Sequence, residues 1–327
     1  MAFELRTSEL GVELLGPDGA RCVVVPAVGS QLASLRLSPE PAAPAVEVLQ
    51  APSLEHLERA GWGAGAPILF PFPGRVQGGT YPYRGKTYHI HGARHPLHGF
   101  VGLVPWTVVD GEATDLGVWV RTRVDHADLG VDPESFPGRY VLEVTHRLDA
   151  AGYGHDIEVC NAGDGPFPFG YGWHPYFRTP LVSGGLREDC AVRVPAQARW
   201  ELTAELLPTG RRLAVEGAYD LREGRPLAGR SLDDPFTLLQ PDEDGWSEAA
   251  LTDPAAALRL TVRADAAFAH WVVYGPRTLG AVCLEPYTCV PDAFNLEARG
   301  VPSGLMELEP GDRWQGRLRV RLERAAV

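Results

Sequence analysis

Apolar and polar residues alternate with a period of two along much of the chain. Val118, Val120, Thr122 and Val124 are interleaved with Trp119, Arg121, Arg123 and Asp125. Leu142, Val144, His146 and Leu148 are interleaved with Glu143, Thr145 and Arg147. Leu258, Leu260, Val262 and Ala264 alternate with Arg259, Thr261, Arg263 and Asp265, and Leu318, Val320 and Leu322 with Arg317, Arg319, Arg321 and Glu323. Successive side chains of a strand point to opposite faces. Each run therefore predicts a strand with one face in a core and a charged face in water. Antiparallel sheets tolerate a solvated face, whereas a doubly wound parallel sheet is covered on both.

Helical signals are sparse. Ser53 is placed to cap a short segment, Leu54-Glu55-His56-Leu57-Glu58-Arg59, that Gly61 ends. No long amphipathic stripe occurs elsewhere. The 37 glycines and 29 prolines, together about a fifth of the chain and above average usage, are scattered between the alternating runs as turns require. No internal repeat or long linker divides the sequence. The expectation is an all-β fold, one large antiparallel β-sandwich spanning 1–327 as a single domain.

Composition narrows the class of function. Hydrophobic residues make up 45% of the 327, which suffices for a core, and charged residues make up 22%, which argues against global disorder. The net charge of −12 repels nucleic acid and anionic membranes, and no basic block interrupts it. No apolar run approaches the roughly 20 residues of a membrane span. The start, Met1-Ala2-Phe3-Glu4-Leu5-Arg6, lacks the pattern of a signal peptide. Five cysteines at wide spacing (22, 160, 190, 283, 289), with no C-x-x-C pair, argue against a disulfide framework or a zinc ribbon. The expected location is a reducing cytoplasm. Cys22 and Cys283 read as small buried hydrophobes.

Four segments carry polar or aromatic residues that strands and turns do not need. In Pro67-Ile68-Leu69-Phe70-Pro71-Phe72-Pro73-Gly74-Arg75, a proline-stiffened apolar run ends in one cation. In His89-Ile90-His91-Gly92-Ala93-Arg94-His95-Pro96-Leu97-His98-Gly99-Phe100, four of the ten histidines fall close together. That stretch has no carboxylate and no H-E-x-x-H, so a metal would need a ligand from elsewhere. His89, His91 and His95 read as polar strand and loop residues. His98, before a Gly-Phe turn, stands apart. In Phe167-Pro168-Phe169-Gly170-Tyr171-Gly172-Trp173-His174-Pro175-Tyr176-Phe177, six aromatics surround one histidine. Such a surround lowers the imidazole pKa, and aromatic faces suit the C–H faces of a sugar. In Ala281-Val282-Cys283-Leu284-Glu285-Pro286-Tyr287-Thr288, a glutamate sits at the end of a continuous apolar strand, which Pro286 is expected to stop. A buried carboxylate there must be paired or functional.

In this order the four segments resemble the aldose 1-epimerase (galactose mutarotase-like) family. The resemblance runs from about Gly65 to Asn295, with Pro310-Gly311-Asp312 and the last alternating run similar to the family's C-terminus. The His-Pro-Tyr-Phe and Glu-Pro-Tyr-Thr wording is closer to a bacterial mutarotase-like branch, which includes proteins similar to hexose-6-phosphate mutarotases. The resemblance implies the large antiparallel sandwich already expected. It implies Glu285 and His174 as catalytic base and acid, with His98 as a second active-site histidine. It implies Arg75 and Asp233 as sugar-binding residues; Asp234 adjoins Asp233 and competes for that role. It implies no cofactor and no metal, and a small-molecule sugar as the partner.

Mutarotation needs a base to take the anomeric hydroxyl proton and an acid to protonate the ring oxygen. Ring opening, rotation about C1–C2 and reclosure with reversed roles complete it. A glycoside hydrolase would instead need two carboxylates flanking the bond, and only Glu285 has a motif that singles it out. Two other readings stay open. One is a hexose 6-phosphate mutarotase, for which Arg75 and Arg94 are candidate phosphate ligands. The other is a catalytically silent sugar-binding protein on the same fold.

Overall fold

The structure, a computed structural model, describes residues 2–50 and 53–325. All four alternating runs are strands, and every apolar position named in them is buried. Two large antiparallel sheets dominate. The first has nine strands, with Leu258–Ala264, Arg313–Arg324, Gly152–Asn161, Tyr140–Asp149 and Gly117–Asp125 adjacent in that order. Its charged outer face carries cross-strand pairs such as Arg147 with Asp156 and Arg259 with Glu248.

The second sheet has eight strands. Its centre runs Leu232–Leu239, His270–Gly275, Ala281–Tyr287 and then the short strands Gly172–Trp173 and Tyr176–Arg178, both on the same edge of Ala281–Tyr287. Ile68–Leu69 closes that side. A smaller five-stranded sheet is built from Glu4–Ser8, Gly11–Leu15, Arg21–Val25, Gln31–Leu37 and Val46–Glu47. One hydrophobic cluster draws on all three sheets, from Val12 and Cys22 through Trp173 and Trp271 to Leu322. Burying a Val or Leu side chain stabilises by about 1.5–3 kcal/mol, so alternation over many strands accounts for the sandwich.

The expected helix is present at Leu54–Ala60: the Ser53 hydroxyl accepts from the His56 N–H at 3.1 Å, and Gly61 follows with φ 58°. A second, Ala293–Ala298, follows the last strand of the eight-stranded sheet. One expectation fails. Pro286 does not stop its strand, which continues to Tyr287. Proline removes one ladder donor, but Trp271 still sits opposite Pro286, and His270 opposite Tyr287, on the neighbouring strand. No helix among the described residues is long and apolar enough to cross a membrane.

Candidate active site

Strand periodicity puts alternate residues of the eight-stranded sheet on the face away from the sandwich core. Val273, Val282, Leu284, Trp271 and Trp173 enter the core. The other set is Asp233, Val272, Tyr274, Cys283, Glu285, Tyr287, His174 and Tyr176. Across the strands Asp233 pairs with Tyr274, Tyr274 with Cys283, and Val272 with Glu285. On the other edge Gly172 pairs with Tyr287 and Tyr176 with Cys283. His174 lies two residues from each of those and so faces Glu285. The separation from His174 Nε2 to Glu285 Oε1 is 3.3 Å.

This face floors a cavity of about 340 Å³, within the range of small-molecule sites. His174, Glu285, His98, Arg75 and Asp233 all line it, as do Trp62, Tyr176, Tyr274 and Tyr287. The five residues singled out in the sequence therefore converge. Asp233 faces the cavity, whereas Asp234, one position on, is 3.7 Å from the Arg199 guanidinium.

His174 is fixed by the backbone on both sides, where its N–H donates to Pro67 O and the Tyr176 N–H to Gly65 O. Its ring stacks on Tyr176 with centroids 4.8 Å apart. Burial lowers the imidazole pKa to about 3. Burial raises the Glu285 carboxyl well above its ordinary value; the Tyr287 hydroxyl, donating to Oε2 at 2.7 Å, opposes that rise, and Asp233 adds to it. Glu285 Oε1 is buried with no hydrogen-bond partner among the described residues. Burial thus acts on both groups in one sense, disfavouring the charged imidazolium and the charged carboxylate.

His98 adopts a left-handed conformation, φ 66°, uncommon for a residue with a side chain and costing about 1–3 kcal/mol. Gly74 holds it there: the His98 N–H donates to Gly74 O at 2.9 Å, and the Gly74 N–H donates to His98 Nδ1 at 3.1 Å. Nδ1 thus accepts, and in the neutral ring the proton is on Nε2. Burial, then His174, then Arg75 hold the imidazole neutral by lowering its pKa. The following Gly99, φ 77°, has no room for a side chain, since a Cβ would lie 2.0 Å from Phe70 O.

Arg75 is half-buried and makes no ion pair within 4.0 Å among the described residues. Its backbone carbonyl accepts from the Asp292 N–H at 2.8 Å. Asp292 Oδ1 in turn accepts from the Gln77 N–H at 2.9 Å and from Asn295 Nδ2 at 2.7 Å. Asp292 thereby clamps the segment that carries Arg75 to the end of the Ala281–Tyr287 region.

The histidine-rich stretch disperses. His89 and His91 are exposed, and His95 accepts from the Gly78 N–H and faces Glu205 at 3.4 Å. Arg94 also turns to Glu205, at 2.8 Å, with its side chain 78% exposed, and it does not line the cavity. The suggested Arg75–Arg94 phosphate pair is not assembled. Sequence reasoning missed Tyr287, Tyr274 and Trp62, which line the cavity, and Asp292, which braces it. Alternation along 281–287 was the available signal for Tyr287, since it puts that residue on the face of Glu285.

Comparison with known proteins speaks to the family and the fold. The family model described as aldose 1-epimerase matches residues 14–321. The uncharacterized protein YihR of Escherichia coli (strain K12) is 25% identical over 236 residues, 70% of this chain and 71% of that protein. A galactose mutarotase-like protein from Clostridium acetobutylicum superposes with a TM-score of 0.85 at 23% identity, covering 98% of each chain. The GalM/aldose epimerase homologue from C. elegans gives 0.76 at 19% identity, over 99% of this chain and 100% of that one. At such identities the solved structures speak to the fold. The family match over nearly the whole length settles the kinship: this chain belongs to the aldose 1-epimerase family.

Proposed function

We propose that the protein is a mutarotase that interconverts the α and β anomers of a free aldohexose without a cofactor. The observation that carries the reading is the His174–Glu285 pair, 3.3 Å apart on the floor of a sugar-sized cavity. In the reactive form the pair's single proton is on His174. Glu285 takes the anomeric hydroxyl proton as His174 protonates the ring oxygen, and the ring opens. Opening leaves both groups uncharged, the state that burial favours, so desolvation assists the step. After rotation about C1–C2, Glu285 returns its proton to the carbonyl oxygen and His174 recovers its own. His98 Nε2–H donates to the ring oxygen or a neighbouring hydroxyl and stabilises developing charge. Arg75 and Asp233 orient hydroxyls, and the Tyr176, Tyr274 and Trp62 rings suit the sugar's C–H faces.

A free sugar is favoured over a hexose 6-phosphate. Arg75 is the only arginine or lysine lining the cavity among the described residues, and Asp233 and Glu285 oppose a phosphate dianion there. Residues 1–327 are taken to act as one domain, and five unpaired thiols fit a reducing cytoplasm.

The test is anomer exchange by NMR on glucose, galactose and their 6-phosphates at equilibrium. Faster exchange for a free sugar, lost in Glu285→Gln, is expected. Sugar binding without exchange would overturn the enzymatic reading in favour of a silent binding protein. Preference for a 6-phosphate would overturn the assignment of substrate.

A further inference from the structure

We propose that the cavity floor is also a binding site for a thiophilic divalent cation, Zn²⁺ or Cd²⁺, held by His174, Cys283 and Glu285, and that the bound ion inhibits the enzyme. Binding stands on geometry alone; inhibition rests on the mutarotase reading. Cys283 and Glu285 are two residues apart on one strand and point to the same face, with His174 opposite Glu285. One donor atom from each residue, an imidazole nitrogen, the thiol sulfur and a carboxylate oxygen, lies within 4.8 Å of the other two.

Bond lengths of ~2.0–2.3 Å in a tetrahedral zinc site put neighbouring ligand atoms ~3.4–3.6 Å apart. The nitrogen-to-oxygen separation is already 3.3 Å, and small side-chain shifts close the rest. A second observation points to a ligand. Glu285 is 1% exposed, yet its Oε1 has no hydrogen-bond partner among the described residues. A sulfur, a nitrogen and one oxygen select zinc or cadmium over magnesium or calcium. Binding forms the metal–sulfur bond, breaks the S–H bond and releases that proton to solvent, together with the proton carried by the His174–Glu285 pair. His174 and Glu285 line the cavity, and Cys283 is fully buried beside them. The ion would take the imidazole lone pair and the carboxylate oxygen that the proton transfers require. Cys283 has no part in those transfers, so its sulfur serves binding of the ion and not turnover.

The experiment titrates the full-length protein with Cd²⁺ and follows the ultraviolet thiolate-to-cadmium charge-transfer band, alongside anomer exchange with and without Zn²⁺. The wild type should develop the band at one equivalent, and Zn²⁺ should suppress exchange until a chelator restores it. Cys283→Ser should lack the band, keep near-wild-type exchange without metal, and need at least ~10-fold more Zn²⁺ for the same inhibition, in line with the loss of one ligand. Cys160→Ser should match the wild type, which excludes the half-buried thiol. Should Cys283→Ser fail to fold, His174→Asn gives the second reading, a Cd²⁺ affinity reduced by a similar factor. An undiminished band in Cys283→Ser, or unchanged affinity in His174→Asn, would overturn the proposal. A band without any exchange activity would leave the metal site standing and overturn the mutarotase reading.

Discussion

His174 and Glu285 are cross-strand neighbours. Gly172 opposite Tyr287 and Tyr176 opposite Cys283 bracket them in one register, and the distance between the two side chains follows from strand pairing. Pro175 and Pro286, next to each of them, lack the N–H that would continue the ladder. The short strands Gly172–Trp173 and Tyr176–Arg178 stop on either side of the gap, and His174 and Glu285 meet through their side chains.

Replacing either partner should therefore abolish catalysis while sparing the fold. Glu285→Gln and His174→Asn are each expected to slow anomer exchange by at least ~10²-fold. Glu285→Gln keeps the shape and removes a carboxyl that burial disfavours, so its thermal midpoint should equal or exceed that of the wild type. Exchange by NMR and thermal melting check both parts.

Tyr287→Phe tests how the base is tuned. The Tyr287 hydroxyl bond favours the ionised carboxylate, so losing it raises the Glu285 pKa further. Exchange should fall ~10-fold or more, and the alkaline limb of the pH–rate profile should move to higher pH, consistent with a charge-assisted bond worth about 1.5–3 kcal/mol. An unmoved limb would mean that Tyr287 is only a packing residue.

The pH profile itself carries a prediction. The acid limb of the kcat/KM profile follows the lowered pKa of His174, about 3, and the alkaline limb follows the raised pKa of Glu285. Activity should therefore not fall on acidification through the ordinary histidine value of about 6.5. A loss of activity with acid there would show that His174 is solvated when sugar binds.

Stability should fall with acid. Ser30, His146, Tyr153, His155 and Tyr171 form a buried hydrogen-bonded chain between the sheets. Burial lowers His155 to about 3 and His270 to about 4, and His146 well below its usual value. Their contribution is complete above about pH 6.5 and is lost as pH falls toward the folded values, at most about 1.4 kcal/mol per pH unit for each. The raised carboxyls Glu285, Asp233, Asp234 and Asp292 act in the opposite sense, their contribution fading as pH rises, and they shrink the net slope. A lower urea midpoint at pH 5 than at pH 7 is expected; a higher one would show that the carboxyls prevail.

Arg75 and Arg94 should separate cleanly. Arg75→Ala removes the cavity's cation and should lower kcat/KM by ~10–100-fold, chiefly through KM, as expected for a charged hydrogen bond. Arg94→Ala breaks an exposed pair with Glu205, worth ~0–1 kcal/mol, and should leave kinetics on free and phosphorylated sugars unchanged.

The sandwich was legible because period-two alternation is a local signal, carried within each strand of 118–124, 142–148, 258–264 and 318–322. The five proposed site positions came from the family resemblance, and the structure brings them to one cavity. What was not legible came from pairing between distant segments. Arg94 lay beside the candidate histidines in sequence, yet its partner Glu205 belongs to another loop. Pro286 read as a stop because a lone strand cannot reveal that its neighbour, with Trp271 opposite, holds the ladder together. Cys283 read as a small buried residue and is one, packed with Tyr176 and Ala281, but its placement beside His174 depends on the opposite strand.

The cavity's floor and rim have different origins. Glu285, Tyr274 and Asp233 stand on paired strands, while Trp62, Leu97 and Leu206 reach the cavity from segments outside the large sheet's strands. One residue inserted between Gly172 and Tyr176 would reverse the facing of His174 or of the strand Tyr176–Arg178 relative to Ala281–Tyr287. The rim is free of that parity constraint. Lengthening or rewriting the turn at Thr203–Leu207 would reshape the cavity's mouth and leave the strands that carry His174 and Glu285 in place. On the mutarotase reading, a change of that kind alters which sugars enter and spares the proton transfers.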